Sequence, residues 1–294
     1  IDRQTFNIDT EQIEGLITPR TVGIVPVHLF GLCADMQPIL DIASKHGLWV
    51  VEDAACGFGA RYWGDHAGTL GDAGCFSFHP RKAITTGEGG MIVTDKPELD
   101  RQARILRDHG ASRSELERHR AKDSSWLSEY DHLGYNYRMT DIQGSLGCAQ
   151  MQRAEWVLRE RSRRAHLYDE ALAEMEWFEP PVTPDGYVHG YQAYVCLFRS
   201  RETTLDDTDR ISRQRNELMD RLTQRGIATR QGTHAPVILG YYVDKYGLRR
   251  EQFPSAYMAD RLTITLPLFP QITDDEQALV VSEIGRSMAG LDLV

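Results

Sequence analysis

The chain has 294 residues, 41% of them apolar and 26% charged, an ordinary globular balance with room for one large domain and a smaller one. Its net charge of −10, with Lys and Arg dispersed, argues against nucleic-acid binding as the main role, although a local pocket in an acidic protein can still be basic. Five cysteines without a C-x-x-C pair point to reduced, cytoplasmic usage rather than a disulfide or zinc framework, and no signal-peptide pattern or apolar run near the ~20 residues of a membrane helix is present.

The chain begins at Ile1 rather than a methionine, so its translation start is expected upstream; Thr10–Ile17 reads as helix-like. Val22–Leu29 (VGIVPVHL) is a near-continuous apolar run suited to a strand buried on both faces. Asp35 can cap a helix carrying Ile39, Leu40 and Ala43, which Gly47 would end. Leu48–Glu52 is a second buried-strand candidate, and Cys75–Phe78 and Gly90–Thr94 are shorter ones. Pro97–His109 reads as a helix ended by Gly110. Strand, helix and strand at this spacing predict a mostly parallel central sheet of the α/β class with right-handed crossovers.

Thr140-Asp141-Ile142-Gln143 fits a capping box and opens a helical region in which Ile142, Leu146 and Ala149 recur at helical spacing. Within it Arg159–Arg164 (RERSRR) reads as a solvated helix face. Prolines at 180, 181 and 184 and Gly186 mark a change of architecture. A strand at Tyr194–Phe198, a helix near Arg213–Gln224 and a strand at Leu262–Leu266 then suffice for a smaller C-terminal α+β domain. The expected division is 1–165 and 166–294.

The segment Cys75–Met91 (CFSFHPRKAITTGEGGM) is the most informative. Lys82 alone would be an ordinary surface lysine, but it follows a short apolar strand and precedes a turn rich in glycine, which lets backbone approach a bound group closely. A lysine among buried strands has its charged form disfavoured, which frees the amine for Schiff-base chemistry. Ser77 either presents a hydroxyl to a phosphate or simply ends the strand. Asp53 closes LWVVED at the carboxyl edge of the sheet, where ligands collect in open parallel sheets. A carboxylate there needs a partner, and a protonated pyridine nitrogen is a suitable one. An Asp at a strand end and a Lys 29 residues later favour a pyridoxal 5'-phosphate site over a capping or ion-pairing role.

Val25–Gly31 (VPVHLFG), Val51–Cys56 (VEDAAC), Phe76–Met91 (FSFHPRKAITTGEGGM) and Gly134–Gln143 (GYNYRMTDIQ) resemble, in order and spacing, the DegT/DnrJ/EryC1/StrS family of sugar aminotransferases, and Gly226–Val237 resembles that family's C-terminal domain. The resemblance implies the PLP-dependent transferase fold type I and a homodimer with shared active sites. It makes Lys82 the Schiff-base lysine, Asp53 the partner of the pyridine nitrogen and Ser77 a phosphate ligand. Asn136, otherwise a turn residue, matches an asparagine that reaches the neighbouring subunit's cofactor. The implied reaction moves an amino group from an amino-acid donor, L-glutamate, to a nucleotide-linked ketosugar.

Two departures stand out. Cys56 occupies a position where the family usually has Gln or His near the cofactor ring, and cysteine is a weak hydrogen-bond partner. The family's earlier segment, with a Gly-Thr phosphate loop and an aromatic that stacks on the pyridine, is not in these residues, so either the chain is shortened or the site is incomplete. No G-x-G-x-x-G follows the first strand, and no H-x-x-x-H or H-E-x-x-H supports a metal. His28 and His234 are candidate substrate contacts, each with a structural-loop role as the alternative. The rival functions are a pyridoxamine-phosphate sugar dehydratase of the same fold, against which Lys82 counts because members resembling that branch carry histidine there, and a non-catalytic homologue acting as a binding protein.

Overall fold

A computed structural model describes residues 1–111, 130–199 and 202–289. Two 3-10 turns, Thr10–Gln12 and Glu14–Leu16, stand where a helix-like segment is expected. Strand β1 (Gly23–Ile24) is much shorter than the apolar run that contains it. Pro26 has no N–H to offer a ladder, and after an isolated bridge between Val27 and Asp53 the chain turns through Phe30 and Gly31, both at positive φ. Val22 and Val25 are exposed, because no described strand pairs with the outer side of β1.

Helix α1 (Met36–His46) buries Met36, Ile39 and Ala43 and closes at a left-handed Gly47. Asp35 stands at its N-cap, yet its carboxylate accepts from the Tyr62 hydroxyl at 2.8 Å rather than from a helix N–H. Strand β2 (Trp49–Asp53) follows, then a small hairpin of β3 (Arg61–Tyr62) and β4 (Asp65–His66), and strands β5 (Ala73–Ser77) and β6 (Gly90–Val93). The central sheet has the order β1-β2-β5-β6, with β1, β2 and β5 parallel and β6 antiparallel. Helix α2 (Pro97–Arg107) leads away from it, and a left-handed Gly110 follows as expected.

The Thr140–Gln143 capping box forms as read and starts helix α3 (Asp141–Met151). Its apolar residues do not enter a core: Ile142 is 83% exposed and Leu146 41%. Helix α4 (Ala154–Leu172) corrects the RERSRR reading, because Arg161 and Arg164 are buried. They fall at helical spacing with Ala165, Tyr168 and Leu172, on the inward face. Arg164 is paired with Asp274, while Arg161 binds backbone carbonyls.

Strand β7 (Phe178–Glu179) comes next, and β8 (Tyr187–Val188) adds to the β3–β4 hairpin. Strand β9 (Tyr194–Phe198) is buried throughout. Helix α5 (Leu205–Gln224) starts earlier than its apolar pattern indicates, because Thr204 caps it through the Asp207 N–H. Helices α6 (Gly240–Tyr246) and α7 (Pro254–Leu262), strand β10 (Thr263–Leu266) and helix α8 (Asp274–Met288) complete an antiparallel sheet β10-β9-β7 covered by helices. Two apolar cores result among the described residues. One gathers Met36, Ile39, Val50 and Tyr62 around the central sheet; the other gathers Tyr168, Tyr194, Phe198, Leu218 and Ile264, and also takes in Phe6 and Phe30 from the start of the chain.

Candidate active site

The site grows from two neighbouring parallel strands. Asp53 of β2 stands opposite Cys75 of β5, and Glu52 opposite Gly74. Side chains alternate along a strand, so Asp53, Cys75 and Ser77 share one face and Glu52 takes the other. That face carries the candidate chemistry. Asp53 is half-buried, and one of its carboxylate oxygens accepts from the Ala55 N–H at 3.1 Å. No Lys, Arg or His among the described residues forms an ion pair with it. Burial, and then the Asp53 charge, pushes the Cys75 thiol above its ordinary pKa.

Lys82 follows β5 in a loop drawn tight by backbone bonds. The Phe78 N–H donates to the Gly89 carbonyl at 2.8 Å, the Thr86 N–H to the Phe78 carbonyl at 3.0 Å, and the Lys82 N–H to the His79 carbonyl at 2.9 Å. Ala83 and Ile84 are buried and anchor the loop. The lysine side chain is half-buried, and its Nζ lies 3.1 Å from the Cys56 Sγ. Cys56 is three residues past Asp53, so the amine is brought to the carboxyl end of β2. Ser77 Oγ lies on the same strand face as Cys75 and receives a long contact, 3.4 Å, from the His79 N–H.

His28 does not reach this face, which corrects its assignment as a substrate contact. It is fully buried, and its Nε2 is 2.7 Å from Glu52. Its Nδ1 accepts from the Ala34 N–H at 3.1 Å, which leaves the proton on Nε2 and makes that nitrogen the donor to the carboxylate. Glu52 also accepts from the Gly68, Leu70 and Gly71 N–H groups at 2.6–2.7 Å. Burial alone would raise the Glu52 carboxyl pKa; the His28, Gly71 and Gly68 donors outweigh it and hold the carboxyl below its ordinary value. The pair fixes the turn that delivers β5. Gly74 meets that turn so closely that a Cβ on it would come within 2.0 Å of the Gly68 carbonyl oxygen.

Two further candidates have other partners than Lys82 among the described residues. Asn136 is exposed, in an isolated bridge with Asp108, between Tyr135 and Tyr137, whose rings stack at 5.0 Å. The His234 side chain is 76% exposed, with Nδ1 4.0 Å from Asp260. A cavity of about 350 Å³, lined among others by His166, Asp169, His189 and Tyr191, contains none of the candidate residues. Its features are structural: His189 is buried, its ring pKa is lowered to about 3 by desolvation, and it stacks on Tyr191 at 4.1 Å. Sequence reasoning passed over Glu52 and Gln192. Strand alternation beside Asp53 was the available signal for Glu52. No local pattern marks Gln192, whose amide nitrogen donates to the Arg81 carbonyl at 3.1 Å.

Among the described residues, then, a strand-end carboxylate without an ion-pair partner and an amine in a glycine-rich loop are both placed at the carboxyl end of β2. The model of the DegT/DnrJ/EryC1/StrS aminotransferase family matches residues 1–285. The chain belongs to that family. It is 33% identical over 292 residues to the spore coat polysaccharide biosynthesis protein SpsC of Bacillus subtilis, covering 99% of this chain and 73% of that protein. It is 44% identical over 174 residues to GDP-perosamine synthase of Caulobacter vibrioides, covering 59% of this chain and 44% of that one. The structure of DesV from S. venezuelae in complex with a ketimine intermediate superposes with a TM-score of 0.84 at 27% identity, over 99% of this chain and 71% of that one. The enzyme class expected from the sequence, a sugar aminotransferase dependent on pyridoxal phosphate, is therefore established at the level of the family, and the architecture is that of fold type I.

Proposed function

We propose that this chain transfers an amino group from L-glutamate to the keto carbon of a nucleotide-linked deoxysugar, using pyridoxal 5'-phosphate held by Lys82. The observation that carries this reading is the Lys82 amine, 3.1 Å from Cys56, at the strand end where Asp53 has no ion-pair partner among the described residues. When bound, the cofactor supplies an aldehyde for an amine and an electron-poor ring that accepts carbanion charge. Asp53 would hold the proton on the ring nitrogen, which keeps that ring electron-poor. Ser77 would donate to the phosphate, and Cys56 would stand near the ring. Lys82, when its amine is free, would move the proton between the substrate carbon and C4′. His234 remains the substrate-contact candidate, being exposed at a turn of the smaller unit, 166–294, while the cofactor residues lie in the larger one, 1–165.

The same reading assigns Asn136 to the neighbouring subunit's site in a homodimer. Its support is the apolar exposure around it: Leu133 is 87% exposed and Tyr137 72%, and α3 buries none of its residues within one chain. Adding pyridoxal phosphate and recording the visible spectrum tests the lysine assignment. Native protein should develop a yellow band and a borohydride-stable label at Lys82, and Lys82→Ala should lose both. A Lys82→Ala protein with an unchanged band would end this reading.

A further inference from the structure

Arg161 is an expensive residue for its place. It is 7% exposed, burial pushes its guanidinium pKa down, and no carboxylate pairs with it among the described residues. Its Nε is buried without a partner. A buried cation is tolerated only where strong acceptors meet it. Here they are two successive carbonyls: Nη1 donates to Tyr191 at 2.9 Å and to Gln192 at 3.1 Å.

The other side of the same segment is equally fixed. The Gly190 N–H donates to the Gly31 carbonyl at 2.8 Å and the Ala193 N–H to the Phe30 carbonyl at 3.2 Å. Gly31 is at φ +101, and a Cβ there would come within 2.7 Å of the Gln192 nitrogen. Backbone thus immobilises Gln192 between α4 and the turn after β1. From that position its side chain reaches the Arg81 carbonyl, one residue before Lys82. Only the amide nitrogen can donate to a carbonyl, so the orientation of the amide is determined.

We infer that Gln192 is a positioning residue for Lys82, held in place by the buried guanidinium of Arg161. The inference rests on the assignment of Lys82 as the reactive amine. In this arrangement α4 and the segment leading into β9 set the height of the lysine loop, and through it the place of Nζ beside Cys56. Gln192 touches no reacting atom. Gln192→Ala would free the loop, and Gln192→Glu would do more, because a carboxylate oxygen would face the Arg81 carbonyl oxygen.

The test uses the full chain without cofactor, with two readouts on Gln192→Ala and Gln192→Glu. Amide hydrogen exchange over residues 80–86 should rise about five-fold in the alanine variant, the factor that one ordinary net hydrogen bond represents. Trace acetylation by acetic anhydride, read by mass spectrometry, should rise similarly at Lys82 and stay unchanged at the exposed Lys45. The glutamate variant should exceed the alanine variant in both. Unchanged exchange overturns the inference, and so does faster exchange without a change at Lys82, which would confine Gln192 to loop stability. Neither readout needs the cofactor, so a failure of the lysine assignment would appear separately, as native protein that develops no visible band.

Discussion

Glu52 and Asp53 are adjacent acids in opposite circumstances, and the difference lies in which face of β2 each side chain takes. Glu52 is fully buried and saturated by the His28 ring and three backbone N–H groups. Removing the acceptor leaves buried donors unsatisfied, each at a cost of about 1–3 kcal/mol, so Glu52→Ala should cost about 3–5 kcal/mol in urea denaturation at neutral pH. The pH dependence follows from the lowered pKa. A carboxyl whose folded pKa lies below its unfolded value near 4.5 stabilises the fold fully above that value. That contribution disappears as pH falls through the folded pKa. The stability gap between native protein and Glu52→Gln should therefore narrow on acidification below about pH 4.5, and a gap that widens there would contradict the assignment. The placement of Asp53 at a strand end and of Lys82 in a glycine-flanked loop is legible in the sequence, because both are local patterns. His28 was misjudged because its partner lies across the strand face from the motif that drew attention to it. Gln192 was not legible at all, since its task is defined by a carbonyl 111 residues away in sequence.

At the scale of elements, boundaries followed the cap chemistry where the sequence carried it. Thr140 Oγ1 accepts from the Gln143 N–H, and the Gln143 side-chain Oε1 accepts from the Thr140 N–H at 2.9 Å. The Gln143 amide nitrogen also donates to the Glu88 carbonyl at 2.9 Å, which ties α3 to the glycine-rich end of the lysine loop. Thr140→Ala should lower stability by about 1 kcal/mol, the ordinary value of an N-cap. Gln143→Ala should cost more, because it loses the reciprocal cap bond and the Glu88 tie together. Thermal melts of the two variants would compare them, and a Gln143→Ala protein as stable as Thr140→Ala would mean that the Glu88 contact contributes nothing. What the pattern withheld was the environment of each face. Helical spacing put Ile142 and Leu146 together without saying what covers them. In RERSRR, charge alone suggested solvent, although Arg161 and Arg164 lie in line with Ala165, Tyr168 and Leu172 on the face that α4 buries. Strand β1 is shorter than its apolar content indicates, because Pro26 offers no N–H and no described strand lies on its outer side.

For the whole molecule, the distribution of apolar surface bears on assembly. The cores leave Trp49, Met91 and Ile92 of the central sheet exposed, and a stretch from Leu133 through Tyr135, Tyr137 and Ile142 also stays exposed, with Asn136 in its midst. A patch of this kind is usually covered by a partner. If two copies share their sites as proposed, Lys82→Ala and Asn136→Ala damage different halves of the same site. Unfolding and refolding an equal mixture of the two variants would form hybrids. Each hybrid would hold one site with both lesions and one with neither. Random pairing makes half of the dimers hybrid, so the mixture should recover about a quarter of the native capacity for a lysine-bound cofactor and for amino transfer, as isologous two-fold pairing requires. Each variant alone should stay near its own low baseline. A mixture no more active than the mean of its components would show that Asn136 serves the site of its own chain or none, and the exposed stretch would then need a different partner.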